Sequence, residues 1–318
     1  MADLQTSASV AVNQCLGVRG GENCLVVTDA PCRAIGMALF HAAQVAGAEV
    51  VLMDMLPRGM DGEEPPASVG AAMLVCDVLV AATFRSLSHT AARRSASDKG
   101  ARVATMPGIT EETMVRTMGA DYARVAELSD GIAAILTEGR EARLTTEAGT
   151  DIRFGIAGRD GLSDTGILVN AGDFGNLPAG EAFIGPLEGT SQGTVVVDGA
   201  MGDSGVLDGE RIVLTVKNGH AVEIAGGRAA RELEAAIEQY GGDARSIAEL
   251  GVGTNEKARV VGNILEDEKV LGTVHVAIGN NMSMGGVVDV PVHLDGIILA
   301  PTLEIDGRKI LEAGKLLL

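Results

Sequence analysis

The sequence has few aromatic residues, which restricts the kinds of binding site that it can form. Only 2% of its 318 residues are aromatic, and tryptophan is absent. Sites that stack bases or sugars on aromatic rings are therefore not expected. Basic residues are also scarce. The chain has 25 Lys and Arg and 43 Asp and Glu, which gives a net charge of −18. Such a charge repels a phosphate backbone, so nucleic acid is not an expected partner.

Features of exported, membrane-bound or disulfide-bonded proteins are missing as well. The four cysteines all lie in the first quarter of the chain without a CxxC pair, so free thiols in a reducing compartment are expected. The N-terminus has no basic start followed by an apolar block, and no apolar run reaches the roughly 20 residues of a membrane span. We therefore expect a soluble, cytoplasmic protein without a membrane partner.

Residues 1–135 alternate apolar strand patterns with helical ones. This order predicts a Rossmann-like α/β domain with a parallel sheet. Neither GxGxxG nor GxxxxGK[ST] follows its strands, so dinucleotide and P-loop binding are not supported. His89 and Arg93 follow the strand at 78–83, where open α/β sheets usually hold ligands, and either residue is a candidate to bind a substrate carboxylate. The alternative is an ordinary solvated helix start.

Residues 136–318 change to short strand patterns separated by glycine-rich turns. This pattern predicts a β-rich, antiparallel second domain with one clear helix at 228–240. Within this second domain, the segment 170–188 is rich in Gly and Pro and is predicted to be a loop. The fold class expected is therefore α/β followed by α+β, with the boundary near residue 135.

Ionisable residues of metal-ligand type interrupt the apolar runs of the second domain. An unpaired carboxylate in a dry interior costs several kcal/mol, so such residues need a common partner. His293 and Asp295 are two apart, which places both on one face of a strand. The predicted ligands are Glu181, Glu249, His275, His293 and Asp295. Mixed N/O donors suit Zn, Co, Mn or Fe(II), and two ions fit if one carboxylate bridges.

Four segments of the second domain resemble a known family. NLPAGEAF, AELGVGTN, NILEDEKVLGTVHVAIG and VHLD are similar to the thermophilic-type metallo-aminopeptidases, the leucyl aminopeptidase or aminopeptidase T family. The resemblance implies an α/β domain followed by a β-rich catalytic domain, usually in a homodimer. It also implies a dinuclear metal centre held by the five residues named above, with Glu249 as the bridging or near-metal carboxylate.

Two departures from that family bear on activity. The family peptidases carry a catalytic Tyr seven residues after the histidine that matches His275, whereas Met282 stands here. A thioether donates no hydrogen bond, and losing such a donor typically costs ~10²–10³ in rate. The chain is also shorter than the peptidases between His275 and His293, so the pocket around Met282 is expected to take a smaller or differently shaped substrate.

The leading hypothesis from the sequence is a metal-dependent aminopeptidase acting on a small peptide or amide. The metal ions would activate water, and Glu249 or Glu268 would move the proton to the leaving amine. The first alternative is an Fe(II) ring-cleaving dioxygenase of the dihydroxypyridine type. Those enzymes resemble this chain at His293 and Asp295, but they place a His at the position of Glu249 and lack a counterpart of His275. The second alternative is a metal-stabilised binding protein without turnover.

Overall fold

Helices cover much of the N-terminal half of the chain and little of the rest. In the computed structural model, which describes residues 3–318, the α-helices range from 4 to 17 residues in length. The α-helices are α1 Leu4–Ser9, α2 Arg33–Val45, α3 Ala67–Met73, α4 Ala91–Asp98, α5 Glu111–Thr117, α6 Tyr122–Glu138, α7 Arg228–Glu238 and α8 Ile264–Asp267. A π-helical segment, Val10–Cys15, continues α1, and 3₁₀ turns occupy Ala30–Cys32, Gly202–Ser204, Gly242–Arg245 and Met282–Met284.

Strands dominate after residue 140. In chain order they are β1 Asn23–Asp29, β2 Glu49–Met55, β3 Val78–Ala82, β4 Arg102–Thr105, β5 Glu141–Thr145, β6 Asp151–Gly155, β7 Leu162–Asp164, β8 Phe174–Asn176, β9 Glu181–Ile184 and β10 Gln192–Val197. They continue as β11 Ala200–Met201, β12 Gly205–Val206, β13 Ile212–Lys217, β14 His220–Gly226, β15 Ile247–Gly253, β16 Val274–Gly279, β17 His293–Ile298, β18 Thr302–Ile305, β19 Arg308–Glu312 and β20 Lys315–Leu316.

The chain folds into two compact units. The first contains the residues up to 126 together with 164–179, and the second contains 127–163 and 180–318. The boundary predicted from the sequence lies near residue 135, and the two units of the structure differ from that prediction in two places. Most of α6 belongs to the second unit, and the segment 164–179 returns to the first, because β8 completes the sheet of that unit.

A parallel sheet in the order β2-β1-β3-β4-β8 forms the first unit. Its central strand β3 is buried along its whole length, as the continuous apolar run VLVAA predicts for a strand covered on both faces. The predicted parallel α/β architecture is confirmed. The segment predicted to be a loop contains the strand β8. Its sequence FGN has no apolar alternation that would indicate a strand, and it becomes one by pairing with β4.

Two sheets that share one apolar core form the second unit. The orders are β14-β13-β10-β6-β5-β18-β19-β20 and β12-β11-β17-β16-β15-β9-β7. Leu144 and Phe154 of the first sheet and Leu250 and Val276 of the second are fully or almost fully buried in the same cluster. In the second sheet β9, β15, β16 and β17 lie side by side and pair antiparallel. The predicted β-rich character of this half is therefore confirmed.

Membrane-spanning helices were not expected from the sequence. Across residues 3–318, no helix combines the length and the apolar composition that crossing a bilayer requires.

Candidate metal centre

The four central strands of the second sheet bring the predicted ligands together. Glu181 opens β9, Glu249 lies in β15, His275 in β16, and both His293 and Asp295 in β17. In register, Ala277 pairs with Glu249 on one side and with Asp295 on the other. Ala277, a small residue, thus lies between the two carboxylates in register. The prediction that these five residues come together is thus met by strand pairing.

Glycine makes room for His275. Gly251 is its register partner on β15, and a Cβ built on Gly251 would lie 1.9 Å from His275 Nε2. The imidazole therefore occupies the space that any larger residue at 251 would fill. Gly253 has a similar role further along the strand, because its Cβ would lie 2.1 Å from the carbonyl oxygen of Val270. The two glycines of AELGVG thus leave space for the His275 side chain and for the backbone at Val270.

Glu249 lies at the middle of the cluster. Its Oε1 is 3.1 Å from His275 Nε2, and its Oε2 is 3.1 Å from His293 Nε2. His293 Nε2 is also 3.5 Å from Asp295 Oδ1, and His275 Nε2 is 3.3 Å from Glu181 Oε2. Each oxygen of Glu249 thus faces a different imidazole, so this carboxylate joins the two halves of the cluster.

Two overlapping triplets have the proximity that a metal ion needs. One consists of Glu181, Glu249 and His275, and the other of Glu249, His293 and Asp295. In each triplet the potential ligand atoms lie within 4.8 Å of one another. The donor set of carboxylate oxygens and imidazole nitrogens suits a divalent first-row ion. The cluster therefore fits a metal centre, and divalent metal binding agrees with the expectation from the sequence.

The two imidazoles differ in how their second nitrogen is held. His293 Nδ1 lies 2.8 Å from the backbone carbonyl oxygen of Asn280, which can only accept, so Nδ1 carries the hydrogen. Burial opposes a charged His293, but Asp295 and Glu249 raise the pKa of the ring. When the ring is neutral, Nε2 is the nitrogen that can bind a metal, as is usual for histidine ligands. His275 Nδ1 is buried and has no hydrogen-bond partner within residues 3–318. His293 is therefore the better prepared ligand.

A buried lysine lies in the same cluster. Lys269 Nζ is 2.6 Å from Glu181 Oε1 and 2.5 Å from Glu268 Oε1, and its side chain is 1% exposed. Lysine is almost never fully buried unless it is paired. Glu268, predicted as a catalytic acid, is thus tied to the cluster through this ammonium. The EDEK motif indicates only an acidic turn when it is taken from the sequence alone, so the role of the lysine was missed.

The other two acids of EDEK support the backbone. Glu266 Oε1 accepts a hydrogen bond from Arg259 N at 2.9 Å. Asp267 Oδ1 accepts one from Val261 N at 2.7 Å, and its other oxygen accepts from Gly262 N at 2.9 Å. Burial raises the pKa of Asp267 to about 6, although these amide donors act in the opposite direction. Of the four residues, only the last two point into the cluster.

Burial and mutual charge shift the pKa values of the cluster strongly. Burial raises the pKa of Glu181 to about 8, and it also raises the pKa of Glu268. For Glu249 burial is opposed by hydrogen bonds from the two imidazoles, which hold its pKa below the usual range. Burial likewise opposes a charged His275, but the hydrogen bond to Glu249 and the nearby carboxylates raise the pKa of His275 to about 9. The cluster thus favours positive charge at its centre.

The three residues predicted to contact substrate lie in different settings. Met282 follows Asn280 by two residues and is 51% exposed. His89 is exposed and Arg93 is buried, and both belong to the first unit. Arg93 Nε donates to the carbonyl oxygen of Ser88 at 2.7 Å, and its guanidinium lies 3.8 Å from the centre of the Phe174 ring. The Arg93 side chain thus takes part in the packing of its own unit.

The fold and the site together define a two-unit α/β protein with a carboxylate–imidazole metal centre on the central strands of its second unit. Comparison with known proteins then gives the family. Residues 6–318 match the family described as NicX: 2,5-dihydroxypyridine 5,6-dioxygenase, and the chain belongs to this family of enzymes.

Individual relatives agree with this assignment. The chain is 24% identical over 195 residues to 2,5-dihydroxypyridine 5,6-dioxygenase of Pseudomonas putida KT2440, and the match spans 57% of this chain and 55% of the relative. The solved structure of the dioxygenase from that organism superposes with a TM-score of 0.83 at 19% identity, covering 99% of this chain and 96% of the other. Wild-type AmpT from Thermus thermophilus superposes with a TM-score of 0.72 at 17% identity, with 99% of each chain covered.

These findings correct the leading hypothesis from the sequence. The resemblance to aminopeptidase T is confirmed for the fold, and at 17% identity it shows the fold alone. The predicted aminopeptidase activity is wrong, because the family that matches almost the whole chain is a dioxygenase family. The error arose because Glu249 and His275 follow the peptidase pattern, and their presence was given more weight than the missing Tyr at Met282.

Proposed function

We propose that this protein is an Fe(II)-dependent dioxygenase that cleaves the ring of a dihydroxylated pyridine. The observation that carries the proposal is the triplet of Glu249, His293 and Asp295 on neighbouring strands, in a chain that matches the dioxygenase family from residue 6 to residue 318. The name of the relative gives the substrate class, 2,5-dihydroxypyridine.

The donor atoms of the triplet support an iron site. Non-haem Fe(II) oxygenases commonly bind the ion through two imidazoles and one carboxylate and leave other positions open. This triplet offers one imidazole and two carboxylates, because Glu249 stands where those enzymes place a His, and the second imidazole of the cluster, His275, lies beside Glu249. His293, Asp295 and Glu249 would hold the ion here, and the ion would supply the means to bring O₂ and a hydroxylated ring together. Because a dioxygenase places both oxygen atoms of O₂ in its product, no external reductant is required.

The remaining residues of the cluster orient these ligands and exchange protons. His275 Nε2 donates to Glu249 Oε1 at 3.1 Å and so fixes the rotation of that carboxylate. The backbone carbonyl of Asn280 does the same for the ring of His293. Burial raises the pKa of Glu268, and its carboxyl group is the candidate in the cluster to exchange a proton with a substrate hydroxyl.

Met282 is the proposed contact for the substrate ring. Its side chain is half exposed, and its backbone N donates to Asn280 Oδ1 at 3.0 Å, which ties it to the residue that orients His293. A polarisable thioether packs well against a flat heteroaromatic ring. This role needs no hydrogen bond from residue 282, so the missing Tyr of the peptidase family no longer counts against activity.

The test is oxygen consumption with a defined substrate. Protein loaded with Fe(II) under anaerobic conditions is mixed with 2,5-dihydroxypyridine and O₂, and O₂ uptake is compared with loss of the ring absorbance. We expect Asp295→Asn to reduce both rates on the order of 10²-fold or more, since ligand loss should exceed the 10–100-fold effect of outer-shell changes. Asp160→Asn makes the same chemical change at an exposed position and should leave both rates unchanged. Full turnover by Asp295→Asn would refute the proposal.

A further inference from the structure

The two overlapping triplets would suit two metal ions in a chain without Lys269. Glu249 belongs to both triplets, and a shared carboxylate between two ions roughly 3.5–4 Å apart is a common arrangement. The sequence led to the same expectation of two ions. Whether both triplets accept an ion depends on which other cation already lies among them.

The ammonium group of Lys269 already neutralises the first triplet. It lies 2.6 Å from Glu181 Oε1, so one oxygen of that ligand is already used. Its second partner, Glu268 at 2.5 Å, has a side chain that is 15% exposed, against 1% for Lys269. A protonated lysine has three donors and no acceptor, so it cannot itself bind a metal ion, and it repels one placed beside it.

The backbone holds Lys269 in this position. Its carbonyl oxygen accepts from Asn255 N at 2.8 Å, and its N donates to the carbonyl oxygen of Glu266 at 3.0 Å. Gly253 admits the neighbouring residue, because a Cβ at 253 would lie 2.1 Å from the carbonyl oxygen of Val270. The backbone of Lys269 is thus held on both sides, and its buried side chain places the ammonium between Glu181 and Glu268.

The ammonium of Lys269 supplies positive charge beside the place where a second ion would lie. Four carboxylates meet here, those of Glu181, Glu249, Glu268 and Asp295, and Lys269 contacts two of them. A divalent ion bound by Glu181, Glu249 and His275 would lie close to that ammonium, and repulsion between two cations is strong in a buried site.

We propose that Lys269 takes the place of a second metal ion, so that the cluster binds one divalent ion, held by Glu249, His293 and Asp295. The inference rests on the proposed function only in requiring that the site binds a metal. Lys269 acts as a positioning residue, because it holds Glu181 and Glu268 and excludes a second ion without touching the first.

Metal stoichiometry tests the inference without any measurement of turnover. Metal-free protein is titrated with Mn(II), bound metal is counted by elemental analysis, and electron paramagnetic resonance distinguishes isolated from exchange-coupled Mn(II). We expect one isolated ion in the unchanged protein. Lys269→Met keeps most of the side-chain volume without the charge and should double the metal content to two coupled ions. Lys269→Arg keeps the charge and should stay at one.

An exposed lysine provides the control variant for this experiment. Lys309→Met removes a lysine whose side chain is 44% exposed, and it should leave the count at one. Two coupled ions in the unchanged protein would overturn the inference while leaving the proposed function standing, and this measurement does not depend on the folding of any variant. A folded Lys269→Met protein that still binds one ion would overturn it too. Protein that binds no divalent ion at all would overturn the proposed function as well.

Discussion

The two units of the molecule each bury charged side chains, but they do so in different ways. In the first unit Arg102 forms two hydrogen bonds with Glu22, at 3.1 and 2.6 Å, and its Nε donates to the carbonyl oxygen of Leu16 at 3.0 Å. One cation thus meets one carboxylate, and the Arg102 hydrogen bonds hold the pKa of Glu22 below its usual range. The pair is electrically complete without any ligand.

The second unit gathers more negative charge than its own cations can offset. There Lys269 faces two carboxylates, and two further carboxylates share two imidazoles. Burial raises the pKa of Glu181 to about 8, whereas the paired Glu22 shifts in the opposite direction. A buried ion pair whose charges balance contributes to the structure alone. A cluster of buried carboxylates with too few cations indicates a binding site for a cation.

The largest expected difference between the two units is in metal affinity. Glu249→Gln removes the carboxylate common to both triplets, so the affinity for Fe(II) or Mn(II) should fall on the order of 10²-fold or more. Glu22→Gln makes the same change in the paired site and should leave metal affinity unaltered. Isothermal titration with Mn(II) measures both. Equal affinities for the two variants would remove the distinction drawn between the units.

An intermediate effect is expected from the glycine under the imidazole. Gly251→Ala places a methyl group 1.9 Å from the position of His275 Nε2, and such overpacking should cost about 3 kcal/mol of unfolding free energy and lower metal content. Gly131→Ala is the matched control, because it lies exposed within α6 with no atom within 4 Å of the added Cβ. That change should stabilise the protein by about 0.5–1 kcal/mol. Chemical denaturation gives both values, and a neutral Gly251→Ala would contradict the close approach.

The smallest effect concerns pH and the paired site. Because the pKa of Glu22 is lower in the folded protein than in the unfolded chain, the pair stabilises the fold above the unfolded pKa of about 4.3, and this contribution is lost as pH falls through the folded pKa. Glu22→Gln should cost about 1–2 kcal/mol at neutral pH. The difference between the variant and the unchanged protein should shrink below about pH 4. Thermal denaturation from neutral to acidic pH measures it, and a difference that grows on acidification would contradict the sign.

How far the site could be predicted depends on the range of each contact. His293 and Asp295 are neighbours on one strand, so their shared face follows from alternation along β17. Lys269 lies 88 residues from its partner Glu181, and local pattern gives no indication of that contact. The clue that was available is a lysine at the end of an acidic run, directly before an apolar strand that carries His275.

The strand β8 shows a similar limit for the fold. Its three residues have no apolar alternation, and they become a strand because β4 offers an unpaired edge. The parallel order of the strands before it was predictable, since buried runs such as VLVAA separated by helices specify a parallel sheet.

The amino-acid sequence by itself determined the two kinds of architecture, the excess of negative charge, and the identity of the five ligand-type residues, because composition and strand or helix period are local properties of the chain. Only the tertiary structure placed Lys269 between Glu181 and Glu268 and showed that Gly251 gives up its side-chain space to His275. Those facts depend on the register between strands far apart in sequence, and register is set by the packing of the whole sheet.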